Sequence, residues 1–206
     1  ELPDTILGIL PKSIMWRLMK PFVNDFGTRW INALKFASSK LGDHKKIRQS
    51  HAGFAFLLDY VPNWKWAYKP GGLVQYQSFI PRDKAYDVFA RQIVLQQQAG
   101  LPSYLGVFKR HRPDDFLMTH GLDGFSVAFD FKVTNKNRDR LWKLAAEMNK
   151  LVVQAGGRFY FAKDSTLTPD SLEGFMNEER VQKFLRMKQS LDPDNILQNN
   201  LYRRLF

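Results

Sequence analysis

Two glutamines, Gln75 and Gln77, are the first pair in this 206-residue sequence whose types and spacing could do chemistry. They stand in Gly71–Pro81, GGLVQYQSFIP, a run bracketed by strand breakers. Period-two geometry puts the two amides on one face and Val74, Tyr76, Ser78 and Ile80 on the other. A strand that gives one face to amides is either washed by solvent or turned towards a ligand. The remaining candidates are sparse. His44, His51, His111 and His120 lack metal-ligand spacing, and no cysteine is present to complete a thiolate site or act as a nucleophile. Asp114-Asp115 reads as a solvated loop pair. No GxGxxG, P-loop, HExxH or GxSxG motif occurs. These residues describe a binding surface without a metal, not a self-contained active site.

The chain is 44% hydrophobic and 25% charged, as in a folded soluble domain. No run approaches the ~20 apolar residues of a membrane span. No secretory signal is seen, and Glu1-Leu2-Pro3 looks like a cut end, so the expected setting is a bacterial-type cytoplasm or the periphery of a membrane. The net charge of +11 is uneven: residues 1–70 hold 11 basic and 5 acidic side chains, residues 71–165 hold 14 and 9, and the last 41 hold 6 of each. Such a field is either plain solubility charge or suits an anionic partner: phosphate, nucleic acid or an anionic lipid surface.

The elements that must position the glutamines follow from pattern. Residues 1–70 form a helical and irregular segment. After an extended lead-in, Ile14, Met15, Leu18 and Met19 begin a helical stripe, Pro21 opens or kinks a helix, and Gly27 breaks it. Trp30, Ile31, Leu34, Ala37 and Leu41 then resume the stripe, decorated by Arg29, Lys35 and Lys40. Basic helices of this kind either pack on the body or lie on a membrane surface. Residues 42–50 form a basic connector, and an aromatic-rich stretch with Phe54, Phe56 and Tyr60 leads into the glutamine strand. Residues 71–165 then run strand, helix (82–99, striped by Ala85, Val88, Phe89, Ile93 and Val94), strand (103–109), strand (124–133), helix (136–154), strand (158–163).

That order predicts an α+β fold, a ferredoxin-like split β-α-β-β-α-β antiparallel sheet with both helices on one face. Phe125, Val127, Phe129 and Phe131 should face the helices. The open face should carry Gln75, Gln77, Leu105, Val107, Lys109, Ser126 and Ala128, with Lys163 added if Tyr160 packs inward. Residues 166–206 form a helical tail that the sheet does not need for closure. The same strand order and charge also suit a stand-alone RNA-recognition-like module. That reading requires aromatic rings on the open face, where this sequence places glutamines.

The residues now in hand resemble a known family. Leu58-Asp59 with Asn63-Trp64 and Tyr68, Gly72 through Gln77, Ile80-Pro81, Val107-Phe108-Lys109, Asp130-Phe131, Gly156-Gly157-Arg158 with Tyr160, Ala162 through Ser165, Asp192-Pro193 and Arg203-Arg204-Leu205 occur in an order similar to the C-terminal half of FAD-linked oxidases of the vanillyl-alcohol-oxidase superfamily. The decaprenylphosphoryl-ribose 2-oxidase group is nearest. The resemblance implies that the sheet caps the isoalloxazine of an FAD held by a separate N-terminal domain, on which residues 166–206 would pack. It implies hydride transfer from a substrate carbinol carbon to the flavin, with this chain inactive on its own. Gln75 and Gln77 would be amide contacts to substrate, Leu105 and Val107 an apolar wall, Lys109 a charged contact, Ser126 and Ala128 further substrate-binding positions, and Lys163 a cofactor contact. The implied partners are a small-molecule, phosphorylated or lipid-linked polyol or sugar and the flavin domain, with peripheral membrane contact and no nucleic acid. Three positions depart from the group's pattern: Ala128 replaces its third-strand cysteine, Ser126 the neighbouring asparagine, and Ala55-Phe56 an aromatic-histidine pair. They leave the substrate's identity open.

Overall fold

The structure is a computed structural model that describes residues 4–6, 9–42, 46, 48, 50, 51 and 62–206. The readings made on Glu1-Leu2-Pro3, His44, Phe54, Ala55-Phe56, Leu58-Asp59 and Tyr60 lie outside the described residues. The chain divides into two compact units, Glu1–Leu73 with Lys132–Thr134, and Val74–Phe131 with Asn135–Phe206.

In the first unit, strands β1 (Thr5–Ile6) and β2 (Leu10–Pro11) pair antiparallel where an extended lead-in was expected. Helix α1 (Met15–Met19) runs into a 3₁₀ turn over Lys20–Phe22 that has Pro21 in its first turn, where a missing N–H costs nothing. Helix α2 spans Asp25–Leu41, and the Asn24 side chain caps it by accepting from the Gly27 N–H at 2.9 Å. Gly27 therefore does not break the helix. It sits in the first turn because a Cβ there would run into the backbone of Phe22. Val23, Trp64, Ala67 and Tyr68 are buried, Trp16 meets Trp66 edge-on at 5.2 Å, and Lys132 Nζ donates to the Val23 carbonyl at 3.0 Å.

The second unit is built on a four-stranded sheet. Its strands are β3 (Leu73–Pro81), β4 (Leu105–His111), β5 (Gly124–Lys132) and β6 (Arg158–Phe159), in the order β4-β5-β3-β6. The first and third strands lie in the centre, as a split β-α-β-β-α-β unit requires. Helix α3 (Ala85–Gln98) and helix α4 (Arg138–Gln154) pack on one face. Phe108 meets Phe89 of α3 edge-on and stacks on Phe125 at 5.1 Å, and Val127, Phe129 and Phe131 are buried, so the apolar row of β5 turns to the helices as its alternation predicts.

Two strands and one helical stripe differ from the sequence reading. Strand β4 runs two residues later and ends at His111. Strand β6 stops at Phe159, and a 3₁₀ turn follows over Phe161–Lys163. The buried stripe of α3 is Ala85, Val88, Phe89, Gln92 and Gln96, while Ile93 and Val94 are about half exposed at 45% and 47%. The amides win that face because each has a partner inside. Gln92 Nε2 donates to Ser78 Oγ at 3.4 Å, and Gln96 Oε1 accepts the Ser103 N–H at 3.2 Å.

The tail forms helices α5 (Pro169–Phe175), α6 (Glu178–Leu191) and α7 (Asn200–Leu205), with Thr168, Asn177 and Asn199 as N-caps. It has local packing that the pattern did not foresee. Leu167, Leu172, Met176 and Leu205 are buried, Phe175 meets Phe159 edge-on, and Arg204 of α7 is ion-paired with Asp164 and donates to the Leu167 carbonyl.

The two central strands approach closely at Gly124, where a Cβ would collide with the Ile80 carbonyl oxygen. Gly124→Ala should therefore destabilise the fold by about 1–3 kcal/mol through overpacking. Gly106→Ala, which faces open space, should cost less than about 0.5 kcal/mol. Urea midpoints of the two variants check the contrast.

Candidate functional site

The open face of the sheet collects the residues singled out by alternation. Register pairs Leu105 with Asp130, Val107 with Ala128 and Lys109 with Ser126, so these six share a face. Gln75 and Gln77 join them from β3. Gln75 Nε2 donates to Asp130 Oδ1 at 2.9 Å, and Gln77 Nε2 donates to Ser126 Oγ at 3.2 Å. All seven predicted contact residues are thus brought together. Leu105 and Lys109 are exposed at the edge strand, the glutamines are half-buried, and Ser126, Ala128 and Asp130 are buried.

Alternation did not show how the polar atoms connect. His111 Nε2 lies 2.8 Å from Ser126 Oγ. A serine hydroxyl has one hydrogen to give and can accept two. Ser126 accepts from Gln77 and still has both its hydrogen and a second acceptor site, so the tautomer of His111 sets the direction of this last bond. The result is a connected row of Gln77, Ser126 and His111. Each glutamine has used an N–H on its neighbour, so its Oε1 is oriented and available as an acceptor. Such a row can hold hydroxyl groups in place but supplies no strong base or nucleophile.

An aromatic cluster closes one end of the row. Phe79 lies 4.7 Å from His111 and 4.6 Å from His120, and His120 lies 4.8 Å from Tyr160, centroid to centroid. The loop between β4 and β5 delivers His120. It is held by Thr119 Oγ1, which accepts the Gly121 N–H at 2.7 Å, and by Arg158, whose Nη1 donates to the Gly121 carbonyl at 2.6 Å. Tyr160 is therefore on the open-face side, contrary to the inward packing from which Lys163 was placed. Lys163 instead belongs to the 3₁₀ turn, with Nζ 5.9 Å from the centre of the Tyr160 ring. Sequence reasoning missed His111, His120, Phe79 and Tyr160 as members of the site. The usable signal was parity, because His111 continues the Leu105, Val107, Lys109 series once β4 is extended by two residues. His120 and Tyr160 come from a loop and a strand end, where parity says nothing.

Both imidazoles titrate below the ordinary value of 6.5. Burial is the main cause for His111, with His120, Lys109 and Arg110 adding to it; for His120 burial also leads, opposed by Asp114 and aided by Arg158. A histidine whose folded pKa is lowered favours folding in its neutral form. Its stability contribution is complete above the unfolded pKa and is lost as pH falls towards the folded pKa. Stability should therefore decline as pH drops below about 6.5, the unfolded histidine value. His120→Phe, which keeps a ring against Phe79 and Tyr160, should make that decline shallower. Urea midpoints measured across the acid range check this, and an unchanged slope would exclude His120 as a contributor.

Two cavities of about 500 Å³ lie away from this face, one among Pro169, Leu172, Met176, Val181, Leu185 and Phe206 and one between the outer sides of α3 and α4.

A scan against protein-family models finds no match. Among curated proteins, the chain is 30% identical over 167 residues, 81% of its length, to the decaprenylphosphoryl-beta-D-ribose oxidase of Mycolicibacterium smegmatis. The chain spans about a third of that relative, 35% of its length. With the α+β sheet and its helical tail, this likeness to an oxidase is consistent with a C-terminal portion of an FAD-linked oxidase.

Proposed function

We propose that this chain supplies the substrate-facing sheet of an FAD-dependent oxidoreductase that oxidises the carbinol carbon of a polyol or sugar, phosphorylated or lipid-linked. On this reading it is inactive without a flavin-binding part outside these residues. The observation that carries the proposal is the row Gln75–Asp130 and Gln77–Ser126–His111 on the open face of a sheet related to that of an oxidase. A face that closes against a second body is half a pocket.

The donor set suits such a ligand. Its centre holds amide oxygens, a serine, a neutral imidazole and the Asp130 carboxyl that Gln75 covers, and its edges are cationic, with Lys109 and Lys163. The flavin, when bound, supplies the hydride acceptor. The chain's own residues then orient the alcohol. The Oε1 atoms of Gln75 and Gln77 accept from substrate hydroxyls and fix which carbon is presented. Leu105, Val107 and Ala128 form the apolar wall, and Lys109 meets a phosphate. Lys163, at the turn beside Tyr160, reaches the cofactor side. The apolar row of β5 faces the helices, which favours this reading over base stacking on the sheet. Leu191, Ile196 and Leu197 of the tail are exposed, and these side chains would pack on the flavin-binding part.

The test uses the protein that contains both parts. A polyprenylphosphoryl pentose, the substrate class in the relative's name, is mixed with it anaerobically and the loss of visible flavin absorbance is followed. Gln77→Ala should lower kcat/KM by roughly 10- to 100-fold, the loss of one to two oriented hydrogen bonds, while the fold loses no more than about 1–3 kcal/mol from the lost bond to Ser126. Wild-type kinetics in this variant would remove the open face from the substrate site. A protein without flavin absorbance would overturn the reading altogether.

A further inference from the structure

Helix α2 has an apolar stripe that none of the described residues of its own unit covers. Of its 17 residues only Gly27 is buried. Phe26, Trp30, Leu34, Ala37 and Leu41 recur every three or four residues, so they form one stripe along the helix. Phe26 is 73% exposed, Leu34 64% and Leu41 86%. Ile31 and Trp30 are about half exposed beside them. A helix of this length is marginal in water without burial of its apolar face, so the stripe requires a cover.

The charges select which cover. Arg29 and Lys40 flank the stripe on one side and Lys35 on the other, all exposed. Asp25, in the first turn, is the only acidic residue of the helix. Two copies packed stripe to stripe would bring these cations together with a single aspartate each in answer. An apolar stripe bordered by cations, with a tryptophan on it, is complementary to the headgroup boundary of an anionic bilayer. No helix among the described residues is long and apolar enough to cross a membrane, so the geometry is that of a helix lying in the interface. We propose that α2 docks this protein on anionic lipid, with Phe26, Trp30, Leu34 and Leu41 in the acyl boundary and Arg29, Lys35 and Lys40 on the lipid phosphates. This does not depend on the oxidase reading, and its readout is not activity.

The test is sedimentation of the intact protein with vesicles of equal parts phosphatidylcholine and phosphatidylglycerol, against phosphatidylcholine alone. With about fivefold per basic residue, the three cations should favour the anionic vesicles by roughly 100-fold, and high salt should erase the preference. Trp30→Ser with Leu34→Ser should abolish binding while leaving helicity by circular dichroism unchanged. Because all five positions are exposed, the variant Arg29→Gln, Lys35→Gln, Lys40→Gln provides a second arm that leaves the stripe intact, and it should lose the anionic preference. Equal binding to both vesicles, or unchanged binding in both variants, would overturn the proposal. So would a stripe-dependent dimer without lipid binding, which assigns the stripe to a second copy. An intact protein that ignores vesicles altogether would show the stripe covered by another part of the chain.

Discussion

The rest of the second unit depends on one constraint: its central strands are buried on both sides, yet one side is polar. Ser126 and Asp130 of β5 cannot reach water, so each needs a partner inside the sheet. The glutamines of β3 meet that need across the strand pair, and the directions of their bonds follow. Gln75 must donate to a carboxylate, and Gln77 donates to a serine that also meets His111. The same bonds turn both amide oxygens into fixed acceptors. Structural satisfaction and an ordered binding row are thus one arrangement.

The strand pair is held at both ends by close backbone approach. At one end the Val133 N–H donates to the Gly72 carbonyl at 2.9 Å, and at the other the Arg82 N–H donates to the Asp123 carbonyl at 3.1 Å. Gly71 and Gly124 admit this because a side chain at either would meet the facing backbone. Register cannot slip without pushing the glutamines to the helix side, so these glycines protect the polar row although they touch no part of it.

The neutral state of the histidines follows from their place in this frame. His111 ends the polar row with Nε2 against Ser126 Oγ, and burial, with His120, Lys109 and Arg110 nearby, disfavours its charged form. His120 is pressed between Phe79 and Tyr160 and shares its surroundings with Arg158. The site therefore presents neutral imidazoles and amides around the buried Asp130 carboxyl, with lysines at its borders, a distribution that suits a hydroxyl-rich ligand carrying a remote anion.

The alternation of Phe125 to Phe131, the breakers around Gly71–Pro81 and the spacing of Leu141, Leu144, Ala145 and Met148 were enough to set the sheet, its faces and the membership of Gln75, Gln77, Val107 and Ser126, because each is a local periodicity acting over a few residues. Partner-dependent features were not legible. Gln92 and Gln96 displace Ile93 and Val94 from the buried side of α3 only because Ser78 and Ser103 happen to face them. His120 and Tyr160 meet over Phe79 only because a loop and a strand end converge there. Burial and hydrogen-bond satisfaction are properties of residues far apart in the chain. Sequence by itself therefore determined which face is polar, and tertiary structure alone decided how that face is wired and which rings close it.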